Sequence, residues 1–207
     1  AKGLSATIDP AKRNATLPPV DPNFQSDTIY LSCLDRAGMA VSLINSVFKG
    51  FGSGIVTEKT GIHLQNRGAG FRVVEGHPNT IEGGKRPLHT IIPAMAMAGG
   101  KPRYCFGVMG GHYQPCGHSH VITNMVDFGM DPQEALDSPR VFWKPDGTLE
   151  VEPTLGQGVL DGLIAKGHKA AFSTSAIGGG QIIEIDHDAG VLIAGSDPRK
   201  DGCALGY

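Results

Sequence analysis

The sequence predicts a mixed α/β domain built on antiparallel hairpins. Three observations carry that expectation. Two β-forming runs, Thr28–Leu34 and Met39–Phe48, flank the turn Asp35-Arg36-Ala37-Gly38. A second pair, Gln181–Ile185 and Val191–Ala194, flanks a turn at Asp186–Gly190. Between them stands a helix-start signature, Asp131-Pro132-Gln133-Glu134, with an N-cap aspartate, a proline at the first helical position and a glutamate at the third. The order is not one of alternating βαβ units, and no internal repeat is visible.

Along the chain, residues 1–27 stand apart. Asp9-Pro10 and Leu17-Pro18-Pro19-Val20-Asp21-Pro22 break any regular element, so this stretch is expected to be a linker, with 28–207 as the folded domain. The first two runs are apolar at both alternating sets of positions, which predicts a hairpin covered on each side, with Cys33 and Cys105 as buried strand residues. Gly50–Gly54 is a flexible loop, Gly61–Gln65 a short strand, and Arg67–Gly84 a loop without periodicity. Strands at Ile91–Ala98 and Arg103–Met109 lead into Gly110-Gly111, followed by a helix over His118–Phe128. Leu155–Lys166 has helical character.

Composition narrows the function classes. A net charge of -2 and a pI of about 6.5 give no electrostatic pull toward nucleic acid or membrane surfaces. The longest apolar stretch falls well short of the ~20 residues that cross a bilayer. The four cysteines form no C-x-x-C pair and leave the redox compartment open. The chain starts Ala1-Lys2-Gly3, without an initiator methionine or a signal pattern, as expected of a piece of a longer precursor. The compartment is unknown, with the cytoplasm favoured over a periplasmic or secreted location.

Thr28 is the first chemical candidate. It opens a strand directly after the polar Gln25-Ser26-Asp27. A threonine hydroxyl is a weak nucleophile that needs a base, and its own α-amino group can serve once the chain is cut before it. The same residue type is also ordinary in strands.

The motifs decide between these readings. Thr28-Ile29-Tyr30-Leu31-Ser32, Asp35…Gly38-Met39-Ala40-Val41-Ser42 and Gly52-Ser53-Gly54-Ile55 come first. Lys85-Arg86-Pro87-Leu88, Gly110-Gly111, Asp127–Ala135, Ser138-Pro139-Arg140 and Ser196-Asp197-Pro198-Arg199 follow in order. Together they resemble the small, C-terminal catalytic subunit of the gamma-glutamyltransferase family, in a divergent branch that includes oxamate amidohydrolase.

The resemblance implies a four-layer αββα N-terminal-nucleophile hydrolase fold, of which this chain supplies the catalytic half. It implies self-cleavage between Asp27 and Thr28, with Thr28 then the nucleophile. Ser46 stands where the family places a hydroxyl beside the nucleophile, and Gly110 and Gly111 match the pair whose N–H groups form the oxyanion hole. It further implies a large subunit from the same precursor as partner, higher oligomers of that heterodimer, a small-molecule amide substrate, and no cofactor.

The departures concern the substrate. The family's asparagine and aspartate for the substrate α-amino group are replaced by Phe48 and Gly70, and its paired serines by His89 and Thr90. Arg67 adds a cation suited to a carboxylate, unless it is a solvated loop charge, and His112 follows the glycine pair where it could face substrate. An acid lacking a free α-amino group, or an amide of a small dicarboxylic acid, is therefore the expected substrate. Three alternatives stay open: a genuine gamma-glutamyl transferase or glutathione hydrolase; a non-catalytic relative; and a metal hydrolase using His112, Cys116, His118 and His120. The last lacks a carboxylate to complete a zinc set, so no metal is expected.

Overall fold

The structure is a computed structural model that describes Asp9, Ala11, Lys12 and residues 26–144 and 146–207, with the side chains of Ser26 and Asp27 outside the description. The expected linker over 1–27 therefore lies almost wholly outside the described residues. The elements run β1 (Ser26–Leu34), β2 (Ala40–Lys49), β3 (Ala94–Ala98), β4 (Lys101–Met109), α1 (Gln114–Val126) and α2 (Pro132–Asp137). They continue with β5 (Val141–Trp143), β6 (Thr148–Val151), α3 (Gln157–Ala165), β7 (Lys169–Phe172), β8 (Gly179–Asp186) and β9 (Val191–Ser196).

The chain divides into two compact units. The larger holds residues 26–137 and Gly178–Tyr207 and has three layers. The β1–β2 hairpin packs on a four-stranded antiparallel sheet of order β3-β4-β8-β9. Helices α1 and α2 cover the other face of that sheet. Alternation along β4 assigns the faces. Cys105 and Gly107 meet the hairpin, Cys105 through a bond from its thiol to the Val41 carbonyl at 3.3 Å, while Phe106 and Val108 meet α1. Tyr30 fills the space between the sheets. It is buried, its hydroxyl lies 2.7 Å from Ser42 Oγ, and burial drives its phenol pKa well above the ordinary value.

The capping signature at Asp131 folds as the sequence predicts. Asp131 Oδ1 accepts the N–H groups of Gln133 and Glu134 at 2.8 and 2.9 Å, and Glu134 Oε2 accepts the Asp131 N–H at 3.0 Å. Downstream, Asp197 is buried: its Oδ2 accepts the Gly180 N–H at 2.9 Å, and its Oδ1 accepts from Arg199 Nη1 at 3.2 Å. Arg199 in turn donates to the Leu136 carbonyl at 2.7 Å. The Ser-Asp-Pro-Arg segment thus ties α2 to β8.

The smaller unit, Ser138–Ile177, was not foreseen. It pairs β5 antiparallel and β7 parallel to β6, so β6-α3-β7 is a βαβ crossover in a chain expected to have none. Buried Arg140 and Glu152 bind it internally. The Glu152 carboxylate accepts the Arg140 N–H at 2.9 Å, and Arg140 Nη1 donates to the Ile177 carbonyl at 2.8 Å.

Several expectations are corrected. Among the described residues the hairpin is covered on one side only: Ile29 (62% exposed), Leu31, Val41 and Leu43 (46% exposed) face outward, and Cys33 shares that face instead of being buried. The apolar residues on both faces were legible, but the described residues supply a cover for only one of them. The short strand at Gly61–Gln65 is reduced to a bridge between Val56 and His63. The helix expected from His118 begins four residues earlier, at Gln114.

A Cβ at Gly107 would lie 2.4 Å from the ring of Tyr30, which is itself buried. Gly107→Ala should therefore lower the unfolding free energy by about 1–3 kcal/mol, measured by urea denaturation.

Candidate active site

The site is organised by an irregularity in the hairpin. From Leu34↔Ala40 to Thr28↔Ser46 the two strands pair in constant register, and the register then shifts between Asp27 and Thr28, so that Asp27 faces Phe48. Val47 is the extra residue, and it makes a β-bulge opposite the Asp27–Thr28 peptide bond. Phe48 takes φ +81°, the sole described non-glycine residue with positive φ. Ser46 Oγ accepts two hydrogen bonds at this point, from the Thr28 hydroxyl at 3.1 Å and from the Phe48 N–H at 3.0 Å. The sequence-predicted nucleophile and its partner hydroxyl are thus together.

Asn66 fastens the same segment from the side. Its Oδ1 accepts the Lys49 N–H at 3.0 Å, its Nδ2 donates to the Lys49 and Gly52 carbonyls at 3.3 and 2.9 Å, and its backbone N–H donates to the Val47 carbonyl at 3.1 Å. Nothing in the sequence marks this residue.

Gly110 and Gly111 end β4 in a turn that residues with side chains rarely adopt. Their φ values are +127° and +60°, and a Cβ at Gly110 would sit 2.9 Å from Gly178 Cα. The single 3-10 turn Gly111–Tyr113 then enters α1 and packs against β1, the strand that carries Thr28. Half-buried His112 lies in that turn. Gln114, fully buried at the start of α1, accepts the Ile92 N–H at 3.1 Å through Oε1 and so ties the segment after Thr90 to the glycine turn. This residue too went unmarked in the sequence.

Arg67 is not a solvated loop charge: it is 7% exposed. Its guanidinium carbon lies 5.2 Å from the centroid of the Phe48 ring, and Nη1 donates to Thr90 Oγ1 at 3.4 Å. Nη2 is buried with no hydrogen-bond partner among the described residues. Burial pushes the guanidinium pKa below its ordinary value. Lys49 Nζ also lies 5.6 Å from the Phe48 ring. Two cations therefore flank one aromatic ring, and the buried one keeps an unused donor. Of the expected substrate-binding residues, Arg67 and Thr90 meet, whereas His89 is exposed.

The histidine run does not converge. His118 is buried with both ring nitrogens engaged, Nδ1 with the Gln114 carbonyl at 2.7 Å and Nε2 with the Val108 N–H at 3.3 Å. His120 Nε2 lies 3.2 Å from Asn124 Nδ2, and Cys116 is exposed. No group of three metal-ligating side chains forms among the described residues.

The family model for gamma-glutamyltranspeptidase matches residues 1–207. The chain belongs to the gamma-glutamyltranspeptidase family. It is 40% identical over 190 residues to the glutathione hydrolase-like YwrD proenzyme of Bacillus subtilis, and 34% identical over 190 residues to the oxamate amidohydrolase proenzyme of Klebsiella pneumoniae. Each match covers 87% of this chain and 36% of the relative, so the chain spans about a third of those proteins' length. Among solved structures, cephalosporin acylase from Bacillus halodurans superposes with a TM-score of 0.79 at 43% identity, over 86% of this chain and 34% of the other. Gamma-glutamyltranspeptidase from Pseudomonas nitroreducens gives 0.76 at 27% identity, over 86% and 98%. The N-terminal-nucleophile hydrolase fold expected from the motifs is the fold found.

Within this family, the departures at Phe48 and Gly70 acquire a physical sense. Phe48 supports the Arg67 guanidinium instead of offering an acceptor to an ammonium, and Gly70 closes the short turn Arg67–Gly70 with no side chain at all. A free donor on a buried cation binds anions selectively. A small carboxylate should therefore raise the thermal midpoint of the protein. The gain reaches about 2.7 kcal/mol at a hundredfold excess over Kd. Arg67→Met should abolish the shift, measured by thermal unfolding with and without the anion.

Proposed function

We propose that this chain is the catalytic part of a self-cleaving threonine amidohydrolase that acts on an amide of a small acid. Residues 1–27 would end the large subunit, and 28–207 would form the small one. The observation that carries the reading is the Thr28 hydroxyl donating to Ser46 Oγ at 3.1 Å, with the register break immediately before it. Ser46 orients the hydroxyl and offers a lone pair for its proton. In the precursor, Thr28 Oγ1 attacks the Asp27 carbonyl carbon, the C–N bond breaks, and the acyl group passes to oxygen. Water then opens the ester and leaves Thr28 with a free α-amine.

That amine is the base of the mature enzyme. It takes the hydroxyl proton as Thr28 attacks the substrate's amide carbon and returns it to the departing amine. Gly110 and Gly111 N–H groups hold the oxyanion, an arrangement whose single donors are worth about 10²–10³ in rate elsewhere. Water resolves the acyl-enzyme, and no cofactor enters any step. Arg67, seated on Phe48 and bonded to Thr90, would take the substrate carboxylate, and His112 on the glycine turn is a second candidate substrate contact.

The remainder of the precursor is the partner this reading requires. Its proposed seat is the outer face of β1 and β2, where Ile29, Leu31, Val41 and Leu43 are exposed side by side. A glutathione hydrolase or gamma-glutamyl transferase reading is the competitor. It needs an anchor for an α-ammonium, whereas the position nearest the bulge holds a phenylalanine beneath a cation.

Two measurements test this. The full-length precursor should split between Asp27 and Thr28 in intact-mass spectra. Thr28→Ala should stay whole, and Ser46→Ala should process about 10²-fold more slowly. The processed enzyme should hydrolyse oxamate or another dicarboxylic acid monoamide in preference to a gamma-glutamyl anilide, measured as kcat/KM. A precursor that stays intact when folded would overturn the catalytic reading, and preference for the anilide would overturn the substrate class.

A further inference from the structure

The structure assigns Asn66 as the positioning residue that holds the Val47–Phe48 bulge in the register that sets Thr28 against Ser46; the assignment rests on the catalytic reading above. Strand pairing alone does not favour that register. A residue with a Cβ at φ +81° is in a sparsely populated conformation, and such strain persists only where its surroundings over-determine it. Around Phe48 the surroundings come from Asn66. The carbonyl before Phe48, on Val47, and both the amide and the carbonyl after it, on Lys49, are hydrogen-bonded to this one residue at 3.0–3.3 Å. A fourth bond, to the Gly52 carbonyl at 2.9 Å, anchors Asn66 to the loop beyond β2.

The consequence reaches the nucleophile through register. Without the clamp, Phe48 can return to negative φ and the bulge can migrate along β2. A one-residue slip in antiparallel pairing turns a side chain to the opposite face of the hairpin. Ser46 Oγ would then leave Thr28, and the Phe48 N–H would lose its acceptor on Ser46. Asn66 also precedes Arg67 directly, so the same residue sets where the buried guanidinium meets Phe48. Asn66 touches no reacting atom. It acts through Val47, Phe48 and Lys49, and its effect should appear as the rate of self-cleavage in protein that is already folded.

The test is a double-mutant cycle in the full-length precursor, with the self-cleavage rate followed by intact mass under conditions where circular dichroism shows each variant folded. Asn66→Ala should slow cleavage at least tenfold. Phe48→Gly removes the penalty for positive φ, so in that background the effect of Asn66→Ala should shrink to threefold or less. Asn66→Asp keeps the acceptor for the Lys49 N–H and loses the two donated bonds, and should fall between. It also replaces Asn66→Ala in the cycle if the alanine variant does not fold. Equal slowing in both backgrounds, or none in either while the wild type cleaves, overturns the assignment. Amide exchange at Phe48 and Lys49 reads the clamp without any chemistry. Loss of protection at both in Asn66→Ala supports it, and unchanged protection overturns it, even in a precursor that never cleaves. A wild type that stays whole would instead count against the catalytic reading itself.

Discussion

One extra residue in a hairpin governs the arrangement. Val47 breaks the pairing of β1 and β2 at the peptide bond between Asp27 and Thr28, and everything about the candidate site follows from where that break falls. On one side of it, regular pairing carries Tyr30 and Ser42 into the space between the sheets and locks the hairpin onto β4. On the other, Phe48 is turned into a conformation that lets its N–H reach Ser46 while its ring faces Arg67. A regular ladder would engage the Asp27–Thr28 peptide in uniform hydrogen bonding and give its carbonyl no reason to differ from its neighbours. The bulge makes that bond the exceptional one.

The second constraint is charge. A guanidinium taken out of water is costly unless its donors are used, and proteins seldom bury one without an anionic partner. Arg67 has only a long bond to Thr90 and the face of Phe48 to offset that cost, with Nη2 unused among the described residues. Arg199 shows the usual solution in the same chain, its guanidinium reaching the Leu136 carbonyl and the buried Asp197 carboxylate. The contrast separates a cation whose donors are used to hold structure together from one that keeps a donor unused among the described residues. Phe48 contributes to both constraints, since its backbone makes the bulge and its ring supports the cation.

What was legible in the sequence was local. The Asp131–Glu134 capping box, the turn between β1 and β2, and the glycine pair after β4 are set by residues within a few positions of one another, and each folded as expected. Thr28 and Ser46 were paired through the motifs' resemblance to a known family, not through any register read from the strands. The missed features depend on partners far along the chain. Asn66 and Gln114 are ordinary amides until the fold brings them to Lys49 and Ile92, 17 and 22 residues away. Arg67 could not be told from a surface charge, because a loop without periodicity gives no burial signal. The βαβ crossover escaped because the Lys169–Phe172 strand has too short and mixed a pattern to stand out.

The misjudged burial of Cys33 carries the most general lesson. Alternation in β1 and β2 was correctly apolar at both sets of positions, and the inference that both faces are covered follows from sound physics. The inference fails because covering both faces takes two partners, and the described residues bring one, the sheet of β4 and β8. The outer face remains apolar and exposed over Ile29, Leu31 and Leu43. The pattern therefore reads as a covered surface although nothing among the described residues covers it. The chain spans about a third of the length of its relatives, and the face it leaves bare lies on the strand that carries Thr28. Covering that face would restrain β1 on its second side and would stiffen the strand at Thr28, which the described residues hold from only one.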